Sequence, residues 1–429
     1  MEIELLYGRE NLRLILPDEI DATVIRKKPM TPLRDPRLAV QEALKDPVAC
    51  PPLSEIAKNR KNASILICDI TRPVPNGILL PPLIETLTGV GIPREEILIL
   101  VATGLHRPNE GEELREIIGH DEIFHSIRIE NHFARDEGAH VDFGRSAAGT
   151  PIKIDRRFVE ADLKIVTGLV EPHFMAGYSG GRKVVAPGMA FQDTILTFHS
   201  PRFLEHPKAA NCVIEGNPLH TEQIEIVRRI GGILALNVVI DEERRIGFVN
   251  FGEVEASHQK AVDFMRRFAE VPLSRRFETV VTTSAGYPLD KTYYQTIKGM
   301  VGVMDILEPG GTIIIASACS EGMGSPEFVE AQRLLCEVGA DQFMSILKGR
   351  DKALVDEWQT EMLLKPLRVG KVQLYSTGLK EGDRKYVFVE WIPSLEEAVL
   401  ASVKAREDPA IAVVPEGPYV IPMYCPDRT

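Results

Sequence analysis

Residues 63–89 read ASILICDI, TRPVPNG and ILLPPLIETLTG in succession. The first run is apolar almost throughout, strand-length and rich in isoleucine, the pattern of a strand covered on both faces. The second holds two prolines, an asparagine and a glycine, which punctuate a turn. The third carries a helical pattern over 79–89. A strand, a polar turn and a helix in that order make the first half of a βαβ unit, whose strands lie parallel.

The same format recurs downstream. A strand at 96–102 is followed by TGLHRP and a helix at 111–118; one at 161–167 is followed by GLVEPH and a glycine-rich loop. It restarts with a strand at 277–284, a helix around 293–303, a strand at 311–318 and a helix at 326–338. A strand at 372–376, an amphipathic helix at 394–406 and a closing strand at 410–414 complete it. The strongly helical 253–268 and the proline-containing 270–276 lie between the halves. The fold class expected is therefore α/β: two α/β domains with mainly parallel sheets and an interdomain active-site cleft. The expected divisions are 1–270 as an N-terminal cofactor-binding domain and 271–410 as a C-terminal domain, with 411–429 a terminal segment packing back on the N-terminal domain.

Composition narrows the class. At 429 residues, with 44% hydrophobic and 26% charged residues, the chain can bury a large core and is neither disordered nor fibrous. The longest apolar runs are strand-length, and the first residues, MEIE, are not those of a signal peptide, so a cytoplasmic protein with no membrane partner is expected. Acidic residues number 62 against 50 basic ones, and no basic tract is dense enough to follow a phosphate backbone, which argues against nucleic acid. Six cysteines are scattered without a C-x-x-C pair, arguing against structural zinc or a disulfide framework; Cys68 and Cys319 read as small buried hydrophobes.

Ligands of open parallel sheets bind beyond the carboxyl ends of the strands. Asp69, Thr71 and Arg72 follow the first strand, Thr103 and His106 the second, Glu171 and His173 the third. Arg72 offers a fork matched to a carboxylate, and the two histidines offer bases tunable near neutral pH. Each alone also reads as a helix entry or a satisfied structural residue. The loop GYSGGRKVVAPG at 177–188 is neither a P-loop nor a dinucleotide fingerprint, because its spacing differs from both. Its Ser179, Gly180 and Gly181 are candidates for phosphate contact, and Asp69 with Thr71 for ribose or phosphate. Lys183 precedes Val-Val-Ala-Pro; in apolar surroundings it becomes a nucleophile or covalent anchor, and otherwise it is a snorkelling surface lysine. His199 follows on a short helix, where a metal or a core hydrogen bond could use it. At this point a zinc-dependent hydrolase using His106, His173 and His199 remains open, as does a non-catalytic phosphate- or nucleotide-binding module. His120, His125, His132 and His140 match no metal spacing and read as surface residues.

The strings DITRPVP (69–75), ATGLH (102–106), EPH (171–173) and GYSGGRK (177–183), with His199 at its distance and DKTYYQTIKG (290–299) in the second half, resemble the nickel-pincer-nucleotide-dependent lactate racemase family. The resemblance covers essentially the whole chain. It implies an isomerase: a racemase or epimerase of a lactate-like 2-hydroxy acid. It also implies the nickel-pincer nucleotide, pyridinium-3,5-bisthiocarboxylic acid mononucleotide nickel, covalently attached at Lys183, with His199 as a nickel ligand and cofactor-maturation enzymes as partners. His106 and His173 match the acid–base pair, and Arg72, Gln295 and Lys298 the positions that hold the substrate carboxylate. The implied chemistry is reversible hydride transfer to the pyridinium, which avoids a carbanion next to a carboxylate. Lactate is the default substrate.

Overall fold

The computed structural model describes residues 1–426. It is α/β with mainly parallel sheets and divides into two compact units. One comprises Pro29–His199 and Pro207–Arg267; the other comprises Met1–Lys28, Ser200–His206 and the chain from Phe268 on. No helix among the described residues is long and apolar enough to cross a membrane.

The first unit is built on a six-stranded sheet. Its order is Ile246–Glu253, Ile233–Ile240, Leu163–Leu169, Ala63–Cys68, Ile97–Ala102, Arg128–Asn131. All neighbours are parallel except the first pair, which is an antiparallel hairpin. Strand residues of opposite parity feed two separate cores, as side-chain alternation requires. Ile65, Ile67, Ile99 and Ile165 pack with Leu79, Leu83 and Leu87 of the helix Asn76–Gly89. Leu66, Leu100, Val166 and Ala235 pack with Val184, Phe198 and Ile226 from three helices on the other face. Both faces are thus covered, which explains why these strands read as unbroken apolar runs. From Ala63–Cys68 the chain steps to one side of the sheet, and from Leu163–Leu169 to the other. These two neighbours flank the switch point, where a doubly wound sheet leaves a crevice at its carboxyl edge.

The second unit holds another six-stranded, all-parallel sheet in the order Glu390–Ile392, Lys371–Tyr375, Leu307–Ala316, Phe277–Thr283, Ala410–Val414, Asp21–Val24. Two expected boundaries are corrected here. Residues 1–28 do not group with 29–270, because Asp21–Val24 pairs with Ala410–Val414 and the hairpin Glu2–Tyr7/Glu10–Ile15 buries Leu5 and Leu14 against Val281, Ile314 and Ile411. Residues 411–426 stay with the C-terminal unit: Ala410–Val414 is an inner strand of this sheet, and Ile421–Tyr424 pairs with Glu270–Leu273.

Candidate active site at the switch point

Asp69 leaves the end of Ala63–Cys68 only 5% exposed. Its Oδ1 accepts from the Thr71 hydroxyl at 2.6 Å and the Thr71 amide at 3.3 Å, and its Oδ2 lies 2.6 Å from His106 Nδ1. Burial pushes this carboxyl up, but the bonds from His106 and Thr71 and the charge of Arg72 outweigh it and hold the group below the usual carboxylate range. Asp69 and Thr71, expected to face a ribose or phosphate, are engaged with each other and with His106. Arg72, from the same loop, is ion-paired with Glu171 at the neighbouring strand end. A substrate carboxylate at Arg72 therefore has to share the guanidinium with Glu171.

His173, 9% exposed, sits on the two-residue strand Pro172–His173, which turns back to pair with Gly177–Tyr178. Its Nδ1 accepts from the amides of Met175 at 3.3 Å and Ala176 at 3.2 Å.

The glycine-rich loop follows, and close packing requires its glycines. A Cβ on Gly168 would stand 2.3 Å from the Gly181 nitrogen, and one on Gly181 would stand 2.7 Å from Val166 Cγ2. The Gly181 amide donates to Asn237 Oδ1 at 2.9 Å, and the Ser179 hydroxyl donates to the Leu169 carbonyl at 2.6 Å. Ser179 and Gly181, expected to contact phosphate, are both engaged in bonds within the fold. Gly180, at φ 129°, abuts His258, which a Cβ would approach to 2.6 Å, so the same packing accounts for it.

The helix Gly181–Val185 carries two basic side chains with opposite fates. Arg182 is fully buried and no carboxylate pairs with it among the described residues. Its Nε donates to His220 Nδ1 at 2.9 Å, its Nη2 to the Tyr178 carbonyl at 3.0 Å, and its Nη1 lies 2.5 Å from His258 Nε2. Burial lowers its pKa to about 9, and burial together with its charge lowers His220 to about 3. This knot fixes the shape of the loop. Lys183 is half-buried, and its ammonium makes no hydrogen bond or ion pair among the described residues. Burial and the charge of Arg72 push it down to about 8, opposed by Cys68 and Asp69.

His199 ends the helix Gln192–Phe198. Its Nδ1 lies 2.8 Å from the Ile195 carbonyl, an acceptor only, so Nδ1 carries a proton and Nε2 a lone pair. Burial, with the charge of Lys183, lowers it to about 4, which keeps the ring neutral near pH 7. A backbone carbonyl behind Nδ1 is the usual support of a metal-bound histidine. An unpaired amine beside a preset imidazole fits a cofactor joined to Lys183 and ligated by His199.

Other expectations fare differently. His106, His173 and His199 do not gather into a ligand set: among the described residues, only Asp241, Glu242 and Glu243 bring three possible ligand atoms within 4.8 Å of one another. The three-histidine zinc arrangement is thus not formed. His132 and His140 are buried rather than superficial; His132 is clamped between Asp155 and the Ala190 carbonyl, at 3.0 Å from each. None of the six cysteines forms a disulfide among the described residues. Gln295 and Lys298 lie on the helix Tyr293–Gly302 of the second unit, capped by Thr292, and Gln295 Oε1 is buried without a hydrogen-bond partner. Trp358 is core, donating to the Tyr294 hydroxyl at 3.2 Å.

Residues 7–211 match the lactate racemase N-terminal domain, and residues 274–422 match the lactate racemase C-terminal domain. A lactate racemase from Thermoanaerobacterium thermosaccharolyticum is 32% identical over 98% of both chains. The chain belongs to the lactate racemase family. It is an enzyme of the isomerase class. A second family member, the lactate racemase of Lactiplantibacillus plantarum, is 34% identical over 89% of this chain and 90% of its own. The structure of the Thermoanaerobacterium lactate racemase apoprotein superposes with a TM-score of 0.91, covering 98% of this chain and 100% of that one. A Thermotoga maritima protein at 20% identity shares the fold alone, with a TM-score of 0.68 over 93% of this chain and 100% of its own.

Proposed function

We propose that the protein racemises lactate, or a lactate-like 2-hydroxy acid, using a nickel-pincer nucleotide tethered at Lys183 and ligated by His199. The observation that carries this reading is the unpaired Lys183 amine, brought down to about 8 and set beside an imidazole whose Nε2 lone pair is fixed. When bound, the pyridinium group supplies a reversible acceptor for the α-hydride. The chain's own residues do the rest. His106 and His173, from strand ends on either side of Ala63–Cys68, accept and return the hydroxyl proton. Arg72, steadied by Glu171, orients the substrate carboxylate. Gln295, with its unpartnered buried oxygen, and Lys298 are the second unit's proposed substrate contacts.

The test is protein matured in a host that makes the cofactor, given one hand of lactate without NAD and followed by chiral chromatography. Both hands should appear, and an intact mass should show an adduct lost in Lys183→Ala. Lactate that keeps its hand would overturn the reading. A racemase equilibrium constant is one, so any variant must lose kcat/KM equally for the two hands. For His106→Ala the loss should be about 10²–10⁴-fold.

A further inference from the structure

The two strand-end imidazoles are held by unlike partners. His106 Nδ1 faces Asp69 Oδ2 at 2.6 Å. An ionised carboxylate only accepts, so the ring proton lies on Nδ1 and the neutral ring carries its lone pair on Nε2. Asp69 is not free to turn away, because Thr71 holds its other oxygen through both hydroxyl and amide. His173 presents the opposite case. Its Nδ1 faces two backbone amides, at 3.3 and 3.2 Å, and an amide nitrogen only donates. The lone pair of His173 is therefore on Nδ1 and its proton on Nε2. The tight return from Pro172–His173 to Gly177–Tyr178 aims those amides at the ring.

We infer that Asp69, and the turn amides of Met175 and Ala176, are positioning groups that hold the two imidazoles in opposite tautomers in the resting protein. Nε2 of His106 is a hydrogen-bond acceptor and Nε2 of His173 a donor. This deepens the proposed function and rests on it for the roles of the two rings. A 2-hydroxy acid offers the complement, a hydroxyl hydrogen for His106 and an oxygen lone pair for His173. The rings also differ in how they take a second proton. On His106 it goes to Nε2 and completes an ion pair with Asp69. On His173 it must go to Nδ1, against two N–H dipoles, so His106 is the readier base. His173 exchanges roles only by releasing its turn amides.

The experiment is long-range proton–nitrogen NMR of the cofactor-free chain carrying ¹⁵N-histidine, recorded where the rings are neutral and assigned with His106→Gln and His173→Gln. The expected spectrum shows His106 protonated at Nδ1 and His173 protonated at Nε2. Asp69→Asn should move His106 to a mixed or Nε2-protonated pattern and leave His173 alone. Matching tautomers in the two wild-type rings, or a His106 signal indifferent to Asp69→Asn, would overturn the inference. If Asp69→Asn does not fold, the wild-type spectrum decides by itself. Racemisation absent from the loaded wild type, with the opposite tautomers present, would sink the function and not the tautomers; the converse would sink only the tautomers.

Discussion

Lys183 shows how one residue's surroundings set its chemistry. An ordinary lysine is almost wholly charged at pH 8, and a charged ammonium has no lone pair to attack with. Here burial and a neighbouring guanidinium bring the group to about 8, so roughly half of it is the free amine at that pH. In the cofactor-free protein, acylation of Lys183 followed by peptide mass spectrometry should reach half its maximal rate near pH 8. Exposed lysines should do so some two units higher; a Lys183 profile that coincides with theirs would refute the depressed value. The sequence exposed Lys183, His106, His173 and His199 because motif strings surround them. It did not expose Arg182, His220 and His258. Nothing in an arginine between glycine and lysine says that it is buried, and its two histidine partners lie about forty and eighty positions away. Nor did it expose the contact of Asp69 with His106, which only the folded loop shows.

At the scale of elements, strands covered on both faces were legible because an unbroken apolar run of six or seven residues has few other uses. Ala63–Cys68, Ile97–Ala102 and Leu163–Leu169 stand within two residues of their expected places. Asp21–Val24 was not legible: it is four residues long and mostly exposed, so its pairing with Ala410–Val414 leaves no apolar signature. The antiparallel hairpin of Ile233–Ile240 and Ile246–Glu253 likewise has no βαβ spacing. The glycine loop was legible as a loop, but its tight packing was not. Its backbone is pressed against the strand Leu163–Leu169, and Gly168→Ala would drive a methyl into the Gly181 nitrogen. Overpacking between two backbones should destabilise the first unit by about 1–3 kcal/mol or more. A thermal melt of Gly168→Ala matching wild type would show that the contact is slack.

At the scale of the whole molecule, chain order and spatial grouping part company. The first 28 residues belong with the unit formed mostly by residues 268–426. Removing residues 1–28 takes away buried Ile3, Leu5, Leu14, Leu16 and Ile20, each contributing about 1.5–3 kcal/mol. Limited proteolysis of that truncation should therefore cut first within 277–414 and spare 63–253. Early cleavage in 63–253 would mean that the N-terminal hairpin serves the other unit. The parallel sheets and their number of halves were readable from alternation of strand and helix; strand order was not, because it depends on which way each crossover turns. That order has a consequence for descent. Around Ala63–Cys68 and Leu163–Leu169 successive crossovers depart in opposite directions, so the loops rimming the crevice hang from separate connections. Each can lengthen or change its side chains while the strands beneath keep their register. Relatives could thus drift toward bulkier or more polar acids one loop at a time, with the proposed anchor and proton-handling groups inherited intact.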